Sequence, residues 1–255
     1  MQSQLTFPKR QTAKVLLLCA AASFLAAPSC AQDKSAFSGE QRDELKTLVR
    51  EYILENPEII SEAIVALQAK DEQARAEQQA QALETHKDAL FDPTEGTVIG
   101  NPNGNVTVVE FFDYNCGYCK SMVPAITEIL DEDDNLRMVM KEFPILGPGS
   151  LVAARAALAA REQGKYPELH TALISHKGAL NQESVIGVAK SIGLDVDKLV
   201  EDMKNPEIND ILSRNMALAQ DLGIEGTPAL IIGDTLVPGA IGKDRLLDLI
   251  ADARK

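Results

Sequence analysis

Tryptophan is absent from this chain, and aromatic residues make up only 4% of it. A full core is still within reach, because 255 residues at 45% hydrophobic content can bury one without many large rings. Histidine is also scarce. His86, His170 and His176 are scattered without ligand spacing, and no second Cys-x-x-Cys accompanies Cys116 and Cys119. A zinc site is therefore disfavoured, and the three histidines read as ordinary helix residues. Basic charge is the third shortage: 25 Lys and Arg stand against 38 Asp and Glu, a net charge of −13. That balance argues against nucleic acid or anionic lipid as a partner. Beyond residue 27 no apolar run approaches the roughly 18 residues of a membrane span, so the mature chain should have none. Internal repeats are absent too.

The one long apolar run lies at the start. Lys9, Arg10 and Lys14 precede an apolar stretch over 15–27 that is too short to span a bilayer, the pattern of a secretory signal peptide. Ser29-Cys30-Ala31 places cleavage before Gln32, giving a signal over 1–31 and a mature chain over 32–255. A lipoprotein anchor at Cys30 is the rival reading, against which Pro28 counts. Removal of three basic residues and no acidic ones takes the net charge from −13 to −16. Export also removes Cys19 and Cys30, so the mature protein keeps only Cys116 and Cys119. A disulfide closing so small a loop takes little entropy from the unfolded chain, which makes stapling a poor explanation for the pair. Chemistry is the better one.

Three regions follow the signal. Over 40–55, Leu45, Leu48, Val49, Tyr52 and Ile53 share one helical stripe. Asn56 and Pro57 then predict the N-cap and first position of a second helix. That helix carries Ile60, Ile64 and Leu67 before turning almost wholly polar over 70–81. Residues 32–91 hold no strand and too little apolar surface for a core of their own. They either pack on the globular domain or form an oligomerisation stalk with a helical spacer; the polar spacer favours the stalk. From residue 92 a domain begins with a short strand over 97–100 and a strong one over 106–112, which runs straight into Cys116. Helical spacing resumes after Cys116, and a strand over 136–143 follows. A helical block over about 147–222 interrupts the strands before a hairpin over 229–237 and a helix over 243–253 close the chain.

The thiolate is the reactive form of cysteine, so a redox cysteine needs surroundings that suit an anion. Where a strand ends and a helix begins, the sulfur of Cys116 faces unpaired backbone N–H groups and the positive end of the helix dipole. Spacing of i, i+3 puts Cys119 one turn on, within reach of a mixed disulfide formed at Cys116. Cys116 is thus the expected nucleophile and Cys119 the resolving thiol. The pair needs no organic cofactor, and no cofactor is predicted; a Cu(I) ion held by Cys116 and Cys119 is the chemically reasonable alternative.

In order, these elements are strand, Cys116-Gly117-Tyr118-Cys119, helix, helical insertion, Glu225-Gly226-Thr227-Pro228, hairpin and helix. The arrangement resembles the α/β thioredoxin fold of the DsbA family of thiol-disulfide oxidoreductases. The resemblance implies that Thr227-Pro228 is a cis-proline loop beside the cysteines. Substrate would then pair with the Thr227 backbone and meet Gly117, Tyr118 and Gly226. It further implies that Glu110, otherwise readable as a surface carboxylate, lies buried beneath the cysteines and moves their protons, with Lys141 a candidate partner. Pro124 matches the family's helix kink. DsbA-type oxidases usually carry Pro-His between the cysteines and Val before the cis-proline. Gly117-Tyr118 and Thr227 look instead like the disulfide isomerases, and the likeness is greatest to the suppressor-of-copper-sensitivity protein C group with its Com-type outer-surface relatives. That likeness implies a periplasmic isomerase or reductase acting on misfolded or misoxidised exported proteins and kept reduced by a membrane thiol reductase of the DsbD type. A homo-oligomer, a trimer for preference, would form through residues 40–90. A dithiol oxidase and a copper-tolerance protein using the same dithiol are the alternatives.

Overall fold

Residues 37–92 and 97–255 are described by the computed structural model. The expected signal peptide, its cleavage site and Cys30 lie outside the described residues.

The chain divides into two units between Glu62 and Ala63. In the first unit, Ser38 opens α1 (Gly39–Glu55) with a capping box: its hydroxyl accepts from the Gln41 N–H at 3.2 Å, and the Gln41 side chain accepts from the Ser38 N–H at 2.9 Å. Asn56, expected to cap the second helix, instead turns back, and its side-chain amide donates to the Tyr52 carbonyl at 2.9 Å. The Asn56 backbone N–H donates to the same carbonyl at 2.9 Å, so Asn56 closes the C-terminus of α1 instead of opening the next helix. No residue of α1 is buried, and Leu45, Leu48, Val49 and Tyr52 present an exposed apolar stripe. The second helix, α2 (Glu58–Thr85), starts in this unit and is continuous through the division. Its Gln- and Glu-rich part is helical throughout, as alanine and long unbranched side chains favour.

In the second unit, the last turn of α2 buries Leu83, and α3 (Lys87–Phe91) buries Leu90. The remaining elements are β1 (Val98–Gly100), β2 (Val106–Phe112), α4 (Gly117–Glu132), β3 (Leu136–Glu142), α5 (Pro148–Ala160), α6 (Tyr166–Ile174), α7 (Gln182–Ser191), α8 (Val196–Asp202), α9 (Pro206–Asp221), β4 (Ala229–Ile232), β5 (Thr235–Pro238) and α10 (Lys243–Ala253). The strands form one sheet in the order β1-β3-β2-β4-β5. Only β2 and β3 run parallel, and the other pairs are antiparallel. The result is a thioredoxin fold with a helical insertion, α5 to α9, between its third and fourth strands.

The centre of the sheet is buried on both sides, which explains why β2 reads as an almost unbroken apolar run. Side chains alternate between faces. Val106, Val108 and Phe112 of β2 join Leu136, Met138 and Met140 of β3 in the core shared with α4 and the insertion. Val109, Phe111 and Val139 join Leu83, Leu90, Leu218 and Ile224 in a second cluster on the opposite face. Within the insertion, α5 buries an alanine-rich surface nearly all round, and α6, α7, α8 and α9 pack against it. Small side chains permit that many close neighbours. At its start, a Cβ on Gly149 would stand 2.1 Å from the Leu180 carbonyl oxygen, so only glycine fits there.

Candidate active site

The strand register explains how residues 111 positions apart meet. β4 is antiparallel to β2 with Ala229 opposite Phe111, so the start of β4 lies at the end of β2, and the loop before it falls beside the turn after β2. That turn is built on Asp113. Its carboxylate accepts from the Asn115 N–H at 2.7 Å, the Ser150 hydroxyl at 2.6 Å and the Leu146 N–H at 2.9 Å, tying the turn to the start of α5. The Asp113 carbonyl accepts from the Cys116 N–H at 3.0 Å.

Cys116 is the N-cap of α4, and both it and Cys119 are free thiols. The Cys119 N–H donates to the Cys116 sulfur at 3.3 Å, and the Cys116 thiol donates to the Thr227 carbonyl at 3.2 Å. The sulfur thus takes the place of an N-cap oxygen, receiving a donor that the helix leaves unpaired. Thr227-Pro228 is a cis peptide bond, and the Thr227 carbonyl lies on the Cys116 sulfur. Tyr118 is 71% exposed and lines a groove with Gly226, Thr227, Pro228, Leu236 and Pro238. Gly117 is exposed, with open space where a side chain would be. Lys120 donates to the His176 carbonyl at 2.8 Å, joining α4 to the segment after α6. Pro124 lies inside α4.

Cys119 is buried one turn on. Burial is the main cause that drives its thiol well above the ordinary range, so its proton must be removed before it can attack. Glu110 is 3% exposed and lines the same cavity as Cys119, on the face of the sheet that carries Met138, Met140 and Phe112. With no compensating charge, burial pushes its carboxyl up to about 8. Lys141 is not its partner. In register Glu110 faces Met140 while Lys141 faces Phe111, so the two side chains leave opposite faces of the sheet. Lys141 instead donates to the Ala89 carbonyl at 2.9 Å.

A second polar cluster was not foreseen in the sequence. Glu142, fully buried, accepts through one carboxyl oxygen from the Tyr114 hydroxyl at 2.9 Å and the Tyr166 hydroxyl at 3.0 Å. Tyr114 also meets His170 Nδ1 at 3.1 Å, and His170 packs edge-on to Phe112. Burial raises the Glu142 carboxyl to about 8, the two tyrosine bonds opposing it, and lowers the His170 imidazole to about 3. Strand alternation held the missed signal: Glu142 lies two residues past Met140, hence on the core face. The histidines are not uniformly helical as expected, since His86 stands at the junction before α3 and His176 follows α6. Among the described residues no group of three His, Cys, Asp or Glu side chains could enclose a metal ion.

Two thiols stand at a helix start, beside a cis-proline loop on a thioredoxin sheet, an arrangement whose chemistry suits thiol-disulfide exchange. The family model of the DsbA-like thioredoxin domain matches residues 107–251, more than half of the chain. The chain therefore belongs to the DsbA-like family of thiol-disulfide oxidoreductases. A second model, the copper resistance protein ScsC N-terminal domain, matches residues 41–74. Among solved structures, a thioredoxin-like oxidoreductase from Silicibacter pomeroyi is 48% identical with a TM-score of 0.64, over 66% of this chain and 96% of that one. Proteus mirabilis ScsC in a transitional conformation is 34% identical with a TM-score of 0.63, over 86% of this chain and 97% of that one. Curated relatives include a Na(+)/H(+) antiporter of Salinispora arenicola, 30% identical over 164 residues; the chain spans 64% of itself but only 25% of that protein.

Proposed function

We propose that the protein is an exported disulfide isomerase and reductase, acting in the periplasm through Cys116. Cys116 thiolate attacks a non-native disulfide of a client, forming a mixed disulfide and releasing a client thiolate. A second client thiol then displaces Cys116, which isomerises the client. Alternatively Cys119 displaces the client, which leaves reduced while Cys116 and Cys119 become oxidised. Returning the pair to the dithiol needs two electrons, for which a membrane thiol reductase of the DsbD type is the proposed donor.

The observation that carries the isomerase reading is the pairing of this thiol site with the α1 segment. Its Leu45, Leu48, Val49 and Tyr52 stripe is exposed, and all four residues fall inside the matched ScsC N-terminal region. Copies joined through residues 40–90, as a trimer for preference, would present several thiol sites to one misfolded client, and that raises the effective concentration of the second site. Gly117-Tyr118 and Thr227 support the same reading. Reduced full-length protein incubated with scrambled ribonuclease should restore its activity. No recovery, together with fast oxidation of a reduced peptide by the disulfide form, would assign an oxidase instead.

The matched N-terminal family bears a copper-resistance description, which favours one further role for the dithiol, holding Cu(I) between Cys116 and Cys119. Tight Cu(I) binding with negligible isomerase activity would replace the first reading by this one.

A further inference from the structure

Beneath the cysteines the protein has left two buried polar groups facing one small space. The Glu110 carboxyl and the Nε2 atom of His170 make no hydrogen bond with the described residues, although the two residues are only 3% and 6% exposed. Both line, with Cys119, Met140 and Thr171, a cavity of about 50 Å³. Among the described residues only Thr97 Oγ1 is fully enclosed without a partner, so both of these groups keep accessible surface, and the cavity their residues line is ample for at least one water molecule.

The surrounding hydrogen bonds determine which way His170 faces that water. Tyr114 has one hydroxyl proton, and Tyr166 has one. Both are directed at the same Glu142 oxygen, at 2.9 and 3.0 Å. With its proton committed, Tyr114 can only accept from His170, so the N–H of the neutral imidazole sits on Nδ1, 3.1 Å away. The pattern is the same whether Glu142 is a carboxylate or an acid protonated on its other oxygen. Nε2 is left as a lone pair beside the cavity. The titratable or charged groups facing this arrangement are Tyr114, Tyr166 and Glu142 behind the imidazole and Glu110 and Cys119 across the cavity; Asp113 and Arg161 act on Glu142.

We propose that His170, held in this tautomer by Tyr114 and Glu142, is a positioning residue for Cys119: its Nε2 anchors a cavity water that carries the Cys119 proton to Glu110. The proposal rests on the thiol-disulfide reading above. In the resolving step, the Cys119 sulfur bonds to the Cys116 sulfur as the bond between Cys116 and the client sulfur breaks. The client leaves as a thiolate and is protonated by solvent. The Cys119 proton passes through the water to the Glu110 carboxylate, and His170 accepts a hydrogen bond from that water without being protonated itself. Burial keeps the imidazole neutral, which suits an acceptor that must not trap the proton.

Reaction of the reduced mature chain, residues 32–255, in which Cys116 and Cys119 are the only cysteines, with the aromatic disulfide DTNB separates the two thiols. Attack by Cys116 releases one coloured thiolate, and attack by Cys119 on the mixed disulfide releases a second. In His170→Phe, whose ring fills the same space without an acceptor, the first phase should stay within about twofold. The second should slow about tenfold at neutral pH, with its pH inflection moved upward. His170→Gln, which restores an acceptor, should recover most of the second phase. Tyr114→Phe, which frees the tautomer, should slow the second phase as well, and it serves as the test should His170→Phe fail to fold. An unchanged second phase and pH profile in His170→Phe, or in Tyr114→Phe where that variant stands in, overturns the proposal. Equal impairment of His170→Phe and His170→Gln overturns it too, because it would mark the residue as merely structural. A wild-type protein that releases no second thiolate would instead overturn the exchange reading itself.

Discussion

Replacing Glu110 by glutamine should make the protein more stable at alkaline pH while leaving acid stability nearly unchanged. Unfolded, the carboxyl titrates near 4.5; folded, burial holds its proton to about 8. Between these values the native state binds more protons than the unfolded state, so stability is full below pH 4.5 and falls as pH rises through about 8. At about 1.4 kcal/mol for each pH unit, the complete loss is of order 2 to 5 kcal/mol, the lower end applying if cavity water solvates the charge. That is a large share of the roughly 5 to 15 kcal/mol that stabilises a domain. Glutamine keeps the shape and cannot ionise, so its curve lacks this loss. Glu142 titrates over the same window but is present in both proteins, and it cancels in the difference. Urea unfolding of the reduced proteins from pH 4 to pH 9 measures the effect. The difference between variant and wild type should grow with pH by that amount. Parallel curves would show that Glu110 ionises freely, and its role as proton acceptor for Cys119 would fall with them.

Cys119→Ala removes the resolving thiol, so mixed disulfides with client proteins should accumulate on Cys116 and appear by mass spectrometry; the absence of adducts would contradict the assigned order of attack. Gly149→Ala drives a methyl group into the Leu180 carbonyl and should cost at least about 1 to 3 kcal/mol in urea unfolding. Because Ser150, the next residue, holds Asp113, the same variant should slow the Cys116 reaction; wild-type stability would mean that α5 shifts without strain. Leu45→Glu with Val49→Glu charges the exposed stripe of α1. Light scattering should then show loss of the proposed trimer while both DTNB phases persist, and an unaltered mass would count against assembly through α1.

Local chemistry made much of this protein legible in its residues. The stripe of α1, the apolar run of β2 and the order strand, Cys-x-x-Cys, helix are all short-range patterns, set by backbone periodicity within a few positions. The position of Cys116 at a helix start follows from the same kind of reading. Tertiary structure decided what lies across the sheet from what. Only the parallel register of β2 and β3 shows that Glu110 shares a face with Met140 and Cys119 while Lys141 leaves from the other. Only the antiparallel return of β4 brings Thr227 onto the Cys116 sulfur. The cluster of Tyr114, Glu142, Tyr166 and His170 joins a turn, a strand end and one helix, each ordinary in its own neighbourhood. No local pattern encodes it, because its meaning is burial, and burial is a property of the packed whole.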